Sequence, residues 1–231
     1  LQLGFYLVRC RAIISVHMTP VETTLYIIRH GQSVANRDRI VSGQLNTPLT
    51  DAGRQQAKIT SRLLGDVEFD VAYSSHLDRA HETARIVVGD RRLAITQLPE
   101  LSERSYGQLE GKPAHEYDQL KSAQSKAYFA LSTQERFKTK VIPDMESDHE
   151  LSERFLAALH DIGHKHSGQT VLIGSHAGPI RTTLIGLGHL TEDQMPAGGF
   201  SNCGYIKLRY SNGKIEVTEV YNPTTEELSV E

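Results

Sequence analysis

Cysteine is scarce in this 231-residue chain: there are two, Cys10 and Cys203, and no Cys-x-x-Cys spacing. That argues against a disulfide framework or a zinc–thiolate site and makes a reducing, cytoplasmic setting the expectation. There is no excess of positive charge either. A formal net charge of -3 argues against nucleic acid or an anionic membrane as the main partner. Any anion site must then be a local concentration of Arg, Lys and His. Residues 1–17 are apolar but interrupted by Arg9-Cys10-Arg11, too short and broken for a membrane span, and no small-residue cleavage pattern follows. They are expected to be an extension outside a single domain running from Met18 to Glu231; sequencing the amino terminus of the native protein tests this. Internal repeats, low-complexity tracts and a Walker-type Gly-Lys-Ser/Thr loop are all missing, and Gly186-Leu187-Gly188 lacks the third glycine of a dinucleotide fingerprint.

What is present suits a globular enzyme. Apolar residues make up 39% of the chain and charged residues 23%, enough for a full core at this length. Apolar runs alternate with helical patterns, which predicts an α/β three-layer sandwich: a mostly parallel mixed sheet flanked by helices. Strands are expected near 25–30, 71–74, 94–98, 171–174, 204–210 and 214–221, the last two joined by the hairpin turn Ser211-Asn212-Gly213. Helices are expected near 50–64, with Thr50 as N-cap, and near 77–88. Ser147-Asp148-His149-Glu150 reads as a capping box before the apolar stripe Leu151, Phe155, Ala158, Leu159 and Ile162. Residues 113–138 read as helical and polar, within a variable insertion at about 112–147.

The most informative stretch is Leu25-Tyr26-Ile27-Ile28-Arg29-His30-Gly31. A buried strand rarely stops on Arg-His unless the charged pair reaches into something, because unpartnered buried charge is costly. Gly31 allows a sharp turn or a close approach of backbone to ligand. A nucleophile beside a fixed cation at a strand's carboxyl end is how an anion-handling site would be built; the plainer reading is a capped strand at the surface.

The motif has company. Asn36, Ser42-Gly43 and Leu49-Thr50-Asp51-Ala52-Gly53 follow it. Then come the segment Ser74 to Ala84, the loop Leu101-Ser102-Glu103-Arg104-Ser105-Tyr106-Gly107-Gln108-Leu109-Glu110-Gly111, and finally Gly174-Ser175-His176-Ala177-Gly178-Pro179-Ile180-Arg181. In type, order and spacing these resemble the histidine phosphatase superfamily, whose members are similar to the cofactor-dependent phosphoglycerate mutases. The resemblance runs from about Thr24 to the end and is weak over 112–147. It implies a phosphoglycerate mutase-like fold and chemistry on a small phosphorylated substrate.

Residue by residue, the resemblance makes His30 the nucleophile that forms a phosphohistidine, and His176 a second imidazole in the phosphate pocket. Arg29 and Arg79 would present planar donors to the phosphoryl oxygens, a geometry lysine does not reproduce. Arg79 stands in the first turn of a helix, an unfavourable place for a cation unless an anion sits nearby; a surface pair with Glu82 is the alternative. Glu103 fits the pattern Glu-x-x-x-Gly-x-x-Glu-Gly as general acid and then base, and its rival Glu100 does not. Asn36, Ser42, Gly43 and the amide of Ala177 would add donors around the phosphate, and Tyr106 would border the leaving group. Glu110 reads as structural, and Arg181 as a brace for the pocket.

Other readings are weighed against these. A serine hydrolase would need Ser where His176 stands, and without its companions His176 reads as a satisfied core histidine. His160 and His164 have the spacing of a metal pair, but no Glu follows the first as in a metalloprotease helix, and histidines suit a helix carboxyl end. No metal or organic cofactor is implied. The lysine-bearing insertion reads as a solvated helix face or a lid. A mutase would need an adjacent Arg-Arg pair in the insertion, and the chain's single such pair, Arg91-Arg92, precedes the glutamate loop. Gln32 replaces the usual Glu after Arg-His-Gly, His76 a frequent Pro, and Ala177 a frequent Gly. A phosphatase acting on small phosphate esters is the favoured reading, with a mutase, or an idle member that binds a phosphorylated ligand, as alternatives. Oligomeric state is not legible.

Overall fold

A computed structural model describes residues 21–123, 125–195, 199–224 and 227. The expected extension at 1–17 lies outside them. Six strands form one sheet: β1 (Thr23–Arg29), β2 (Val71–Ser74), β3 (Ile95–Gln97), β4 (Thr170–Ser175), β5 (Tyr205–Ser211) and β6 (Lys214–Tyr221), in the order β3-β2-β4-β1-β5-β6. The first four run parallel; β5 and β6 close one edge as an antiparallel hairpin. Its turn places Asn212 and Gly213 at φ 50° and 74°, the left-handed geometry that an Asn-Gly hairpin requires.

The helices are α1 (Val34–Arg37), α2 (Asp51–Leu63), α3 (Asp78–Val88), α4 (Ala114–Ala123), α5 (Ser125–Ala130), α6 (Thr133–Lys138), α7 (Asp148–Lys165) and α8 (Ala177–Gly186). Two caps act as the sequence pattern requires: Thr50 Oγ1 accepts from the Gly53 amide at 3.0 Å, and Ser147 and Glu150 form a reciprocal box. The stretch expected as helical over 113–138 divides into α4, α5 and α6. A second box restarts the chain, with Ser132 Oγ accepting from the Glu135 amide and Glu135 Oε2 accepting from the Ser132 amide.

Alternate residues of the central strands serve opposite cores. Leu25, Ile27, Val171 and Ile173 pack with Phe155, Leu159 and Ile162 of α7 and Ile180 and Leu184 of α8. Tyr26, Ile28 and Leu172 pack with Leu64, Phe69, Val87 and Val88 on the α2–α3 side. This is why β1 and β4 read as unbroken apolar runs: both faces of a parallel sheet are covered. The chain leaves β1 toward α2 on one face and leaves β4 toward α8 on the other. Neighbouring strands whose exits diverge in this way open a crevice at their carboxyl ends, the usual ligand position in open α/β sheets.

Candidate active site

The crevice is built by register. Arg29 pairs with Ser175, so the next residues, His30 and His176, leave adjacent strand ends together. The amide of His30 donates to the Ser175 carbonyl at 3.0 Å, and the two imidazole centroids lie 5.1 Å apart. Nδ1 of His30 lies 2.7 Å from the Gly31 carbonyl oxygen. A carbonyl only accepts, so Nδ1 carries the proton and Nε2 keeps a lone pair. Burial, with Arg79 and Arg29 adding repulsion, holds the His30 pKa well below its ordinary value, so the ring is neutral. Gly31 makes this turn fit against α2: a Cβ there would stand 2.3 Å from the Gly53 carbonyl oxygen.

His176 is fully buried, and neither ring nitrogen has a hydrogen-bond partner among the described residues. An orphaned imidazole at the start of α8 is expensive unless something polar reaches it. Its pKa is likewise held well below the usual value, by burial and then by Arg79. Arg29 has the same character: Nη1 donates to the Phe200 carbonyl, while the buried Nε–H is unpartnered.

Arg79 is fully buried. Its Nη1 and Nη2 donate to the carbonyls of Leu45 (2.8 Å) and Gly43 (2.7 Å), and its Nε donates to His30 Nε2 at 3.2 Å. Burial pushes its pKa down to about 10, which leaves it charged at neutral pH. The 42–45 loop therefore meets this cation through carbonyl oxygens, and Gly43 orients Arg79 by accepting. The alternative pairing with Glu82 is absent, because Glu82 accepts from Arg54 Nε at 2.8 Å. Asn36 Oδ1 is engaged by the Ser33 amide and Asn202 Nδ2, and the residue lines the cavity.

Glu103 stands opposite. Its Oε1 accepts from the Arg104 amide at 2.8 Å and its Oε2 from the Gly178 amide at 3.3 Å. The second contact needs glycine, since a Cβ at 178 would lie 2.1 Å from Oε1. Glu110 Oε1 accepts from the amides of Gln44 and Tyr106, both at 3.0 Å, tying two loops together as a structural residue would. The cavity holds about 280 Å³ and is lined by Arg29, Asn36, Ser42, Gly43, Glu103, Tyr106, Ala177 and Gly178, with an outer wall from the insertion. Among the described residues no three His, Cys, Asp or Glu side chains are grouped as a metal site, and His160 sets its ring edge against Tyr210.

A family model, the histidine phosphatase superfamily (branch 1), matches residues 25–223. The chain belongs to that superfamily. It is 36% identical over 164 residues to the adenosylcobalamin/alpha-ribazole phosphatase of Escherichia coli, covering 71% of this chain and 78% of that one. It is 34% identical over 160 residues to phosphoglycerate mutase-like protein 4 of Arabidopsis thaliana, covering 68% of each. The crystal structure of a phosphoglycerate mutase from Bacillus anthracis superposes with a TM-score of 0.77 at 27% identity, over 87% of this chain and 93% of that one. Phosphatases and mutases thus both stand among the relatives of this histidine phosphatase superfamily member, and its phosphoglycerate mutase-like α/β architecture is the expected one. Among the described residues no helix is long and apolar enough to cross a membrane.

The structure brings His30, His176 and Arg79 together, buried behind the strand ends, and sets Arg29 and Glu103 in the wall of the adjoining cavity with Asn36, Ser42, Gly43, Tyr106 and Ala177; the three buried side chains are not themselves part of that lining. Sequence reasoning read Arg181 as a brace but passed over its partner Asp148, and over Arg104, Arg154 and Asn202. Arg104 and Arg181 both pair with Asp148 in the cavity wall, the latter at 3.0 Å. Arg154 clamps the Glu103 loop, donating to the carbonyls of Glu100 and Ser102 and forking onto Glu146. Asn202 Nδ2 donates to the His30 carbonyl at 2.9 Å. Asp148 is legible only as part of a capping box, which says nothing of its two arginine partners, and Asn202 carries no local signal. Arg104 sits inside the glutamate loop and was open to notice.

Proposed function

We propose that this protein is a phosphatase that hydrolyses small phosphate monoesters through a phosphohistidine on His30. One observation carries the reading: His30 holds its proton on Nδ1, and its neutral Nε2, which takes a 3.2 Å bond from Arg79 Nε, shares its surroundings with an unpartnered buried imidazole and an unpartnered guanidinium N–H. Those two orphaned groups lack a polar partner that a phosphoryl group supplies. In this reading Nε2 attacks phosphorus in line, and Arg29, Arg79, His176 and the amino end of α8 offset the charge on the phosphoryl oxygens. Glu103 protonates the leaving oxygen as the P–O bond breaks. It then takes a proton from the water that attacks phosphohistidine, and the P–N bond breaks to release inorganic phosphate and neutral His30.

Hydrolysis is favoured over mutase-type transfer because the insertion has no adjacent arginine pair for a second phosphate. Its one arginine, Arg136, pairs with Glu192, and the two neighbouring cavity arginines, Arg104 and Arg181, pair with Asp148. The test is turnover of p-nitrophenyl phosphate by wild type and His30→Ala, with acid-labile, alkali-stable label sought on the wild-type protein. Equal rates for the two proteins remove His30 from the mechanism. Supplying 3-phosphoglycerate with and without 2,3-bisphosphoglycerate separates the activities: isomerisation outpacing phosphate release makes the protein a mutase.

A further inference from the structure

We infer that the outer wall of this cavity selects an uncharged, ring-bearing leaving group and turns away one that carries a second anion. The inference rests on the phosphatase reading of the same site and concerns what sits beyond the scissile oxygen.

The first observation is charge. The wall contains four cations, Arg104, Lys121, Arg136 and Arg181. Arg104 and Arg181 share Asp148, and each also spends a donor on a backbone carbonyl, of Glu146 and Met195 respectively. Arg136 pairs with Glu192 at 3.5 Å and lies 5.9 Å from the centre of the Tyr128 ring. Lys121 has no carboxylate within ion-pair distance among the described residues, but Asp118, one turn earlier on α4, lines the same wall. A second anion would have to take a guanidinium from a carboxylate that already holds it, or pair with the partly exposed Lys121 while desolvating itself beside Asp118. Neither gains much.

The second observation is shape. Between these pairs the wall is apolar and aromatic, made by Tyr106, Tyr117, Tyr128, Val41, Val141 and Met145. Tyr106 and Tyr117 meet edge to face, centroids 5.4 Å apart at 88°, and so form a corner that a planar ring can enter against one face and one edge. The corner stands beside Glu103, whose neighbour Arg104 carries the wall's buried pair. A volume of about 280 Å³ takes a phosphate and one ring system, at the small end of ligand sites.

Phosphonates test the wall without depending on turnover. Calorimetry on the full chain compares 3-phenylpropylphosphonate, propylphosphonate and 3-phosphonopropionate. The phenyl compound is expected to bind at least about tenfold tighter than the propyl compound, the return on burying one ring, and the carboxylate compound no tighter than propyl. Tyr117→Leu, once shown to melt like wild type, is expected to cut the phenyl-to-propyl ratio about threefold or more. Tightest binding of 3-phosphonopropionate, or equal binding of all three, overturns the inference, and the wild-type order needs no variant to be read. Hydrolysis of 3-phenylpropyl phosphate is followed in parallel. The expected binding order without hydrolysis upholds this inference and removes the phosphatase reading; hydrolysis with the reverse order does the opposite.

Discussion

Gly178→Ala isolates Glu103, the carboxylate proposed as acid and base, from everything else in the site. Position 178 is the second residue of α8, so alanine meets no conformational penalty, and helix propensity favours it by up to about 1 kcal/mol. The added methyl would lie 2.1 Å from Glu103 Oε1 and 3.2 Å from its Cδ, so the carboxylate oxygen must retreat by about 1.3 Å to reach ordinary contact at 3.4 Å. The third neighbour, Leu151 Cδ2 at 3.3 Å, asks for only a few tenths of an ångström. Retreat also removes the 3.3 Å bond from the Gly178 amide. A displacement of that size in a positioned catalytic group costs about 100-fold in rate, or about 2.7 kcal/mol in the barrier. The expected result is a drop of about 100-fold in kcat for an alkyl phosphate and a smaller one for p-nitrophenyl phosphate, whose leaving group needs less protonation. The melting temperature should stay within a few degrees of wild type. Steady-state kinetics on the two esters and calorimetric melting check both halves. A folded variant whose kcat on the alkyl ester stays within twofold of wild type would refute the placement of Glu103 as acid.

Three further outcomes follow from the same geometry. His176→Ala should lower kcat by about 100- to 1000-fold, the scale of one lost donor to a developing oxyanion, in single-turnover assays; full activity would return the ring to a packing role. His30 and His176 both have folded pKa values below the ordinary 6.5, so the unfolded chain binds more protons once pH falls below that value. Stability is thus complete above about pH 6.5 and declines toward the depressed folded values, by up to about 2.7 kcal/mol per pH unit for the pair; urea titrations at pH 7.5, 6.0 and 5.0 read it, and His176→Asn should halve this contribution. Asp148→Ala strips the shared carboxylate from Arg104 and Arg181, whose side chains are only 9% and 12% exposed, and should cost about 3–5 kcal/mol in urea unfolding. Loss below 1 kcal/mol would mean that water reaches the two cations freely.

Much of this molecule is written locally. Strand β1 announces itself because four apolar residues must be covered on both sides, and Thr50, Ser147 and Asn212-Gly213 carry their caps and turn in their own side chains. Arg29-His30-Gly31, His176 with its glycine, and the glutamate loop stand out for a similar reason: charged and titratable side chains at the ends of apolar strands need something to hold, which in the proposed reading is a phosphoryl group. The pairing of Arg29 with Ser175, the carbonyls of Gly43 and Leu45 that hold Arg79, and the sharing of Asp148 by two arginines were not legible. Each is a contact between segments dozens of residues apart, and nothing in either segment alone states where the other will arrive. The break of the 113–138 stretch into three helices was readable in principle from Ser132 and Glu135, but uniform polarity hid it. The chain by itself determined which chemical groups were on hand and the order of strands and helices carrying them. The sheet's strand order alone decided that two imidazoles leave adjacent strand ends, because only hydrogen-bond register between β1 and β4 converts distant positions into a 5.1 Å separation.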